Sequence, residues 1–175
     1  KIKTQLNEDP YDVNDILEAI NNIKELPVKV VVLGDGRYKE TALRLIKEKG
    51  LESHFNFIGS FPPTEMPKFF SHADALLVSL KKNKIFSLTI PAKIQSYLAC
   101  GKPIIASIDG MGAKIVIDAK CGIVSPAENS LVLSERIKEL MTLDRSKLHE
   151  MGINARAFYE KEFDREYLLE RLEFI

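Results

Sequence analysis

The chain has 175 residues, 45% of them apolar and 8% aromatic, with 25 Lys and Arg set against 25 Asp and Glu. That length fits one domain, and the apolar share excludes a disordered or fibrous chain. Zero net charge argues against a nucleic-acid partner, because binding a phosphate backbone draws on excess Lys and Arg, yet it leaves room for a local basic pocket. Cys100 and Cys121, the two cysteines, make neither a disulfide framework nor a zinc knuckle and read as reduced, buried thiols. No apolar run approaches the ~18 residues of a membrane span, and the opening KIKTQLNEDPYDV is no signal peptide. A soluble cytoplasmic domain is expected.

Residues 11–24 carry Ile16, Leu17, Ile20 and Ile23 at the spacing of one helical face. The run VKVVVL at 28–33 is β-branched and nearly continuous, as in a strand buried on both faces of a parallel sheet. Gly34-Asp35-Gly36 ends it, and a helix is predicted over 38–49, stopped by Gly50. A second strand follows at 54–58, then about two turns of helix from Thr64 with Phe69 and Phe70 facing inward. A third strand is predicted at 75–79, and residues 80–90, with three lysines and no period, read as an exposed loop. Pro91 suits the first turn of a helix that ends at Cys100-Gly101. Strands at 103–107 and 122–124 flank a helix at 112–119, and from Ser130 the chain is helical, with starts at 130, 146 and 162 or 164.

Such alternation implies right-handed crossovers: an α/β, Rossmann-like parallel sheet with helices on both faces and a helical C-terminal region. Ligands of these sheets bind beyond the carboxyl ends of the strands. The loops at 34–37, 59–63, 80–90 and 108–112 are therefore expected to open on one edge.

Four stretches on that edge have residues suited to chemistry. Gly34-Asp35-Gly36-Arg37 joins a strand to a helix whose first N–H groups face an anion, and Arg37 suits a phosphate or the solvent face. A dinucleotide fingerprint would need glycine where Lys39 stands, so the loop reads equally as a structural turn. Backbone at Phe57-Ile58-Gly59-Ser60-Phe61 could read a nucleobase edge, or the phenylalanines could simply belong to the core. Ser87, Leu88, Thr89 and Ile90 form a hydroxyl-bearing loop before a helix with Lys93 in its first turn. A lysine there opposes the helix dipole, which a nearby anion would relieve; the plain alternative is a solvated lysine. Gly110-Met111-Gly112 is a further flexible loop or a plain turn. His54, His72 and His149 lack partners at metal-ligand spacing, and no nucleophile elbow, phosphate-binding P-loop or acid/base pair is identifiable.

The stretch ACGKPIIA at 99–106 resembles the C-terminal half of a retaining GT-B glycosyltransferase of family 4, the glycosyl transferases group 1. The likeness runs back through IPAKIQSYLACGKPIIAS, HFNFIGSFPPTEMPKFFSHADALLVSL and VVVLGDGRYKETALRLI, and forward through AKCGIVSPAENSLVLSERI. Within that family the pattern is nearest to transferases of aminosugars (fucosamine-type) that build bacterial surface polysaccharides. The resemblance implies a donor-binding domain in which the nucleobase meets Phe57, Ile58, Gly59 and Ser60, and the ribose and diphosphate meet residues 88–93. Gly34, Gly36 and Arg37 border the same cleft, and Ser87, Thr89 and Lys93 surround the anion.

The resemblance further implies a nucleotide-diphosphate sugar as substrate, UDP-type favoured, with no redox cofactor and no metal. The acceptor would be a polysaccharide, a lipopolysaccharide or a lipid-linked acceptor, and the resemblance implies a full enzyme that sits peripherally on a membrane. Two departures stand out. Two glutamates common in the family fall at Leu88 and Ser96, and neither side chain can grip sugar hydroxyls as a carboxylate does. The family's opening strand and glycine loop are replaced by ten residues, KIKTQLNEDP, read here as no strand, with Lys1 and Lys3 the only bases. An N-terminal acceptor-binding domain is also missing, so residues 1–175 read as one donor-binding domain of a larger two-domain enzyme, inactive alone. The alternatives are a non-catalytic nucleotide-binding Rossmann-like module and a fragment of a GT-B nucleotide-sugar epimerase.

Overall fold

The computed structural model describes residues 2–5 and 12–163. Six parallel strands form one sheet: β1 (Ile2–Gln5), β2 (Val30–Leu33), β3 (Phe55–Phe57), β4 (Ala75–Ser79), β5 (Ile104–Ser107) and β6 (Gly122–Ser125), in the order β3-β2-β1-β4-β5-β6. The helices are α1 (Val13–Asn21), α2 (Lys39–Lys49), α3 (Met66–Ser71), α4 (Lys84–Ser87), α5 (Ala92–Ala99), α6 (Met111–Asp118), α7 (Ser130–Thr142) and α8 (Arg145–Glu162). The expected doubly wound α/β architecture is present.

Strand side chains alternate between two cores. Val30, Val32, Ala75, Leu77 and Ile105 pack with α1, α2 and α7 on one face. Leu33, Leu76, Val78, Ile104 and Ala106 pack with α3, α5, α6 and α8 on the other. Burial on both faces is why VVVL and ALLVS lack polar alternation. Each fully buried Leu, Ile or Val contributes roughly 1.5–3 kcal/mol.

Five sequence expectations need correction. Residues 2–5 form a strand, and it is the central one: Ile2 pairs in register with both Val30 and Ala75. IKTQ has no apolar run of its own, and its place comes from two neighbours that supply the ladder on either side. The helix predicted from Thr64 opens as a short 3-10 turn at Pro63–Glu65, with α3 following from Met66. Residues 80–90 contain α4, capped by Asn83, whose Oδ1 accepts from the Ile85 amide at 2.8 Å. Beyond Ser130, α8 runs unbroken from Arg145 to Glu162, so no new helix starts at 162; a start at 164 lies outside the described residues. Cys121 is buried as expected, but Cys100 is only half-buried.

Strand order reverses between β1 and β4, and the four predicted loops all follow carboxyl ends of strands and share one edge. Gly110 ties two of them together. Its φ is +75°, and a Cβ there would lie 1.9 Å from the Ser87 carbonyl oxygen, so only glycine lets α4 lie against the start of α6. Gly112 likewise lets α6 press on Pro91 at the start of α5.

Candidate functional site

A cavity of about 650 Å³ opens at this edge. Leu33 and Gly34 at the end of β2 and Ser60, Phe61 and Pro63 after β3 form one wall. Ala92, Gln95, Ser96, Ala99 and Cys100 form the facing wall from α5, with Met66, Pro67 and Phe70 of α3 and Tyr159 and Phe163 at the end of α8 completing it. The α5 residues recur at i, i+3, i+4 and i+7, one helical stripe. No Asp, Glu, Lys or Arg is among these lining residues. The Gly34 amide donates to the Gly59 carbonyl at 2.8 Å, which joins the ends of β2 and β3 beside the cavity.

α8 is held onto α5 by close backbone contact. A Cβ at Gly152 would meet the Gly101 carbonyl oxygen at 2.5 Å, and Arg156 Nη1 donates to the Ala99 carbonyl at 2.8 Å. Those contacts bring Tyr159 to the cavity. Burial pushes the Cys100 thiol upward, with Arg156 and Lys102 acting the other way, so it stays a protonated, weak donor.

The predicted site residues fall into two sets. Gly34, Ser60 and Ser96 line the cavity, and Gly59 holds Gly34 from behind. Gly36, Arg37, Ser87, Leu88, Thr89, Ile90 and Lys93 are not on its wall. Arg37 is exposed before α2, and Leu88 is 71% exposed on the lip. Several hydroxyls are committed locally: Ser87 Oγ to Lys84 O at 2.8 Å, Thr89 Oγ1 to Phe86 O at 3.2 Å and Ser96 Oγ to Ala92 O at 3.1 Å. The Leu88 and Thr89 amides close the turn of α4.

Lys93 points away from the cavity with Ile94, Tyr97 and Leu98 and is only 8% exposed, so it is neither a solvated surface lysine nor a wall residue. Burial lowers its pKa to about 7.

Helix starts at this edge differ sharply. α1 begins with its own carboxylates: Asp12 Oδ1 accepts from the Asp15 amide at 3.0 Å, and Asp15 Oδ2 accepts from Ser107 Oγ at 2.6 Å. Burial, with help from Asp12 and Glu128 and against the Ser107 bond, raises the Asp15 pKa to about 6. α5 and α6 have no side-chain cap and no acid in the first turn. The Ile94 amide of α5 donates to the Pro91 carbonyl at 2.9 Å.

The sequence reading passed over Gln95, Tyr159 and Asp15. The Ala92, Gln95, Ser96, Ala99 stripe was the available signal for the first; nothing local in sequence marks the other two.

Residues 6–158 match the family described as Glycosyl transferases group 1. The chain belongs to that family. Within it, the chain is 26% identical over 147 residues to an uncharacterized glycosyltransferase of Methanocaldococcus jannaschii, covering 84% of this chain and 39% of that one. It is 25% identical over 130 residues to the GDP-mannose-dependent alpha-(1-6)-phosphatidylinositol monomannoside mannosyltransferase of Mycolicibacterium smegmatis, covering 73% of this chain and 34% of that protein. Among solved GT-B glycosyltransferases, Anabaena HepE in complex with UDP superposes with a TM-score of 0.81 at 19% identity, over 99% of this chain and 49% of HepE. The chain thus spans about a third to a half of the length of these proteins. Among the described residues, no helix is long and apolar enough to cross a membrane.

Proposed function

We propose that this chain is the donor-binding half of a retaining glycosyltransferase that moves a sugar from a nucleotide-diphosphate sugar to a polysaccharide, lipopolysaccharide or lipid-linked acceptor. One observation carries the reading: an uncharged cavity lies directly against the uncapped start of α5, whose Ala92 is part of its wall. A neutral nucleoside fits the cavity, and the diphosphate then meets the first N–H groups of α5 and its neighbour α6. Those dipoles stabilise the charge that grows on the leaving diphosphate as the glycosidic bond breaks.

In this reading Gly34, Gly59 and Ser60 meet the nucleoside, and residues 87–90 form the lip above the diphosphate. Lys93 acts from below the helix start as a buried charge, and Arg37 meets the ligand from the rim. The donor is of UDP type and the sugar an aminosugar of fucosamine kind. An N-terminal acceptor-binding domain supplies the other wall and the acid/base chemistry, so this half alone binds without turnover. The enzyme works in the cytoplasm, peripherally at the membrane where its acceptor is lipid-linked.

The test is calorimetric titration of the chain with UDP, GDP and their sugars, beside Lys93→Met. Binding of at least one nucleoside diphosphate below millimolar concentration is expected. No binding of any of them at millimolar concentration would sink the reading. Binding unchanged by Lys93→Met would remove only that residue's role.

A further inference from the structure

The α5 wall of the cavity offers little polar reach. Ala92 and Ala99 end in methyl groups, and Ser96 Oγ is already donating to the Ala92 carbonyl. Gln95 is the one long polar side chain that α5 contributes to the wall, and the small alanines on either side leave its carboxamide room. Ser60, Phe61 and Met66 line the same cavity. A carboxamide carries two donors and an acceptor without charge, so it can satisfy paired donors and acceptors that a hydroxyl or a thiol meets only in part.

The uncharged lining around Gln95 decides which part of a ligand it meets. Gln95 lies three residues past the start of α5, about 4.5 Å along the axis. That distance is within a side chain's reach of the helix start, but the carboxamide is neutral and lines a wall with no charged residue, which suits the uncharged part of a ligand better than its anion. Resting on the donor-binding reading above, we propose that Gln95 is a specificity-determining residue that hydrogen-bonds the uncharged nucleoside part of the donor. Its carboxamide meets either the ribose hydroxyls or the paired donor and acceptor on a base edge. Among the lining side chains Gln95 alone offers paired hydrogen bonds, since Ser60, Ser96 and Tyr159 offer single hydroxyls.

The experiment titrates UDP, 2′-deoxy-UDP and GDP into the wild-type chain and into Gln95→Leu, which keeps bulk and removes polarity. Loss of about one hydrogen bond predicts UDP binding weaker by ~5–10-fold. One preference must also collapse toward unity: UDP over 2′-deoxy-UDP if Gln95 holds the ribose, or UDP over GDP if it reads the base. Thermal unfolding checks that Gln95→Leu is folded. Gln95→Glu, which keeps length and acceptor but loses both donors, has to shift the same ratio and serves where Gln95→Leu is unstable. Unchanged affinities and unchanged ratios in the folded variants would overturn the role of Gln95 and leave the donor reading standing. A wild-type chain that binds none of the three would overturn both.

Discussion

Two helix starts on one sheet edge hold buried charges of opposite sign. α1 begins beneath Asp15, 5% exposed, bonded to Ser107 and preceded by the capping Asp12. α5 begins at Ala92-Lys93, with Lys93 8% exposed and no carboxylate in its first turn. The dipole of a helix favours an anion at its start and disfavours a cation. α1 has thus built its anion into the chain, whereas α5 carries a cation against its own dipole. The first start carries its own side-chain acceptors, and the second has neither a side-chain cap nor an acid in its first turn. The difference separates the structural end of this edge from its binding end more clearly than any count of basic residues.

Opposite pH slopes should expose the contrast. The larger effect belongs to Lys93. Its pKa falls from 10.5 in the unfolded chain to about 7 in the fold, so between these values only the unfolded state holds the proton. Stability then rises as pH climbs from 7 to 10.5 and is lost as pH falls back through 7. Lys93→Met should abolish that rise in urea denaturation across this pH range; parallel curves for the two proteins would refute the buried-cation account. Asp15 comes next, with the reverse slope. Its pKa rises from 3.8 to about 6, so the folded state alone holds the proton between them. Stability is full below 4 and drops as pH passes 6, by about 3 kcal/mol at ~1.4 kcal/mol per unit. Asp15→Asn should lack the drop and exceed wild type at pH 7. A variant less stable than wild type at pH 7 would mean that the ionised carboxylate is a net asset to α1.

How much of this was legible in sequence differs between the two starts. VKVVVL, ALLVS and PIIAS declared their strands because burial on two faces leaves only apolar β-branched or small residues. β1 did not, because a central strand of four residues gains its place from the ladders with Val30–Leu33 and Ala75, which are non-local. Without β1 the reversal of strand order at β1 and β4 was invisible, and so was the carboxylate start of α1 beside it. The loops at 34–37 and 59–63 were visible through their glycines, and Gly34 and Ser60 do reach the cavity. Lys93 stands in the first turn of α5 as its sequence position implies, but sequence could not show that it is buried there. Tyr159 escaped because it reaches the cavity through the Gly101–Gly152 contact, a pairing of residues 51 apart in sequence.

The smallest effect is the sharpest test of the contrast. A diphosphate at the start of α5 favours the protonated form of Lys93 and must raise its pKa above about 7. Near neutral pH UDP binding should therefore take up a fraction of a proton. Titrations in two buffers of different ionisation enthalpy measure that fraction directly. Lys93→Met should bring it near zero, apart from the small part due to the terminal phosphate itself. Asp15→Asn, on the start that already carries its anion, should leave it unchanged. Equal uptake in wild type and Lys93→Met would place the anion too far from α5 to feel its lysine, and the two helix starts would then differ in charge without differing in use.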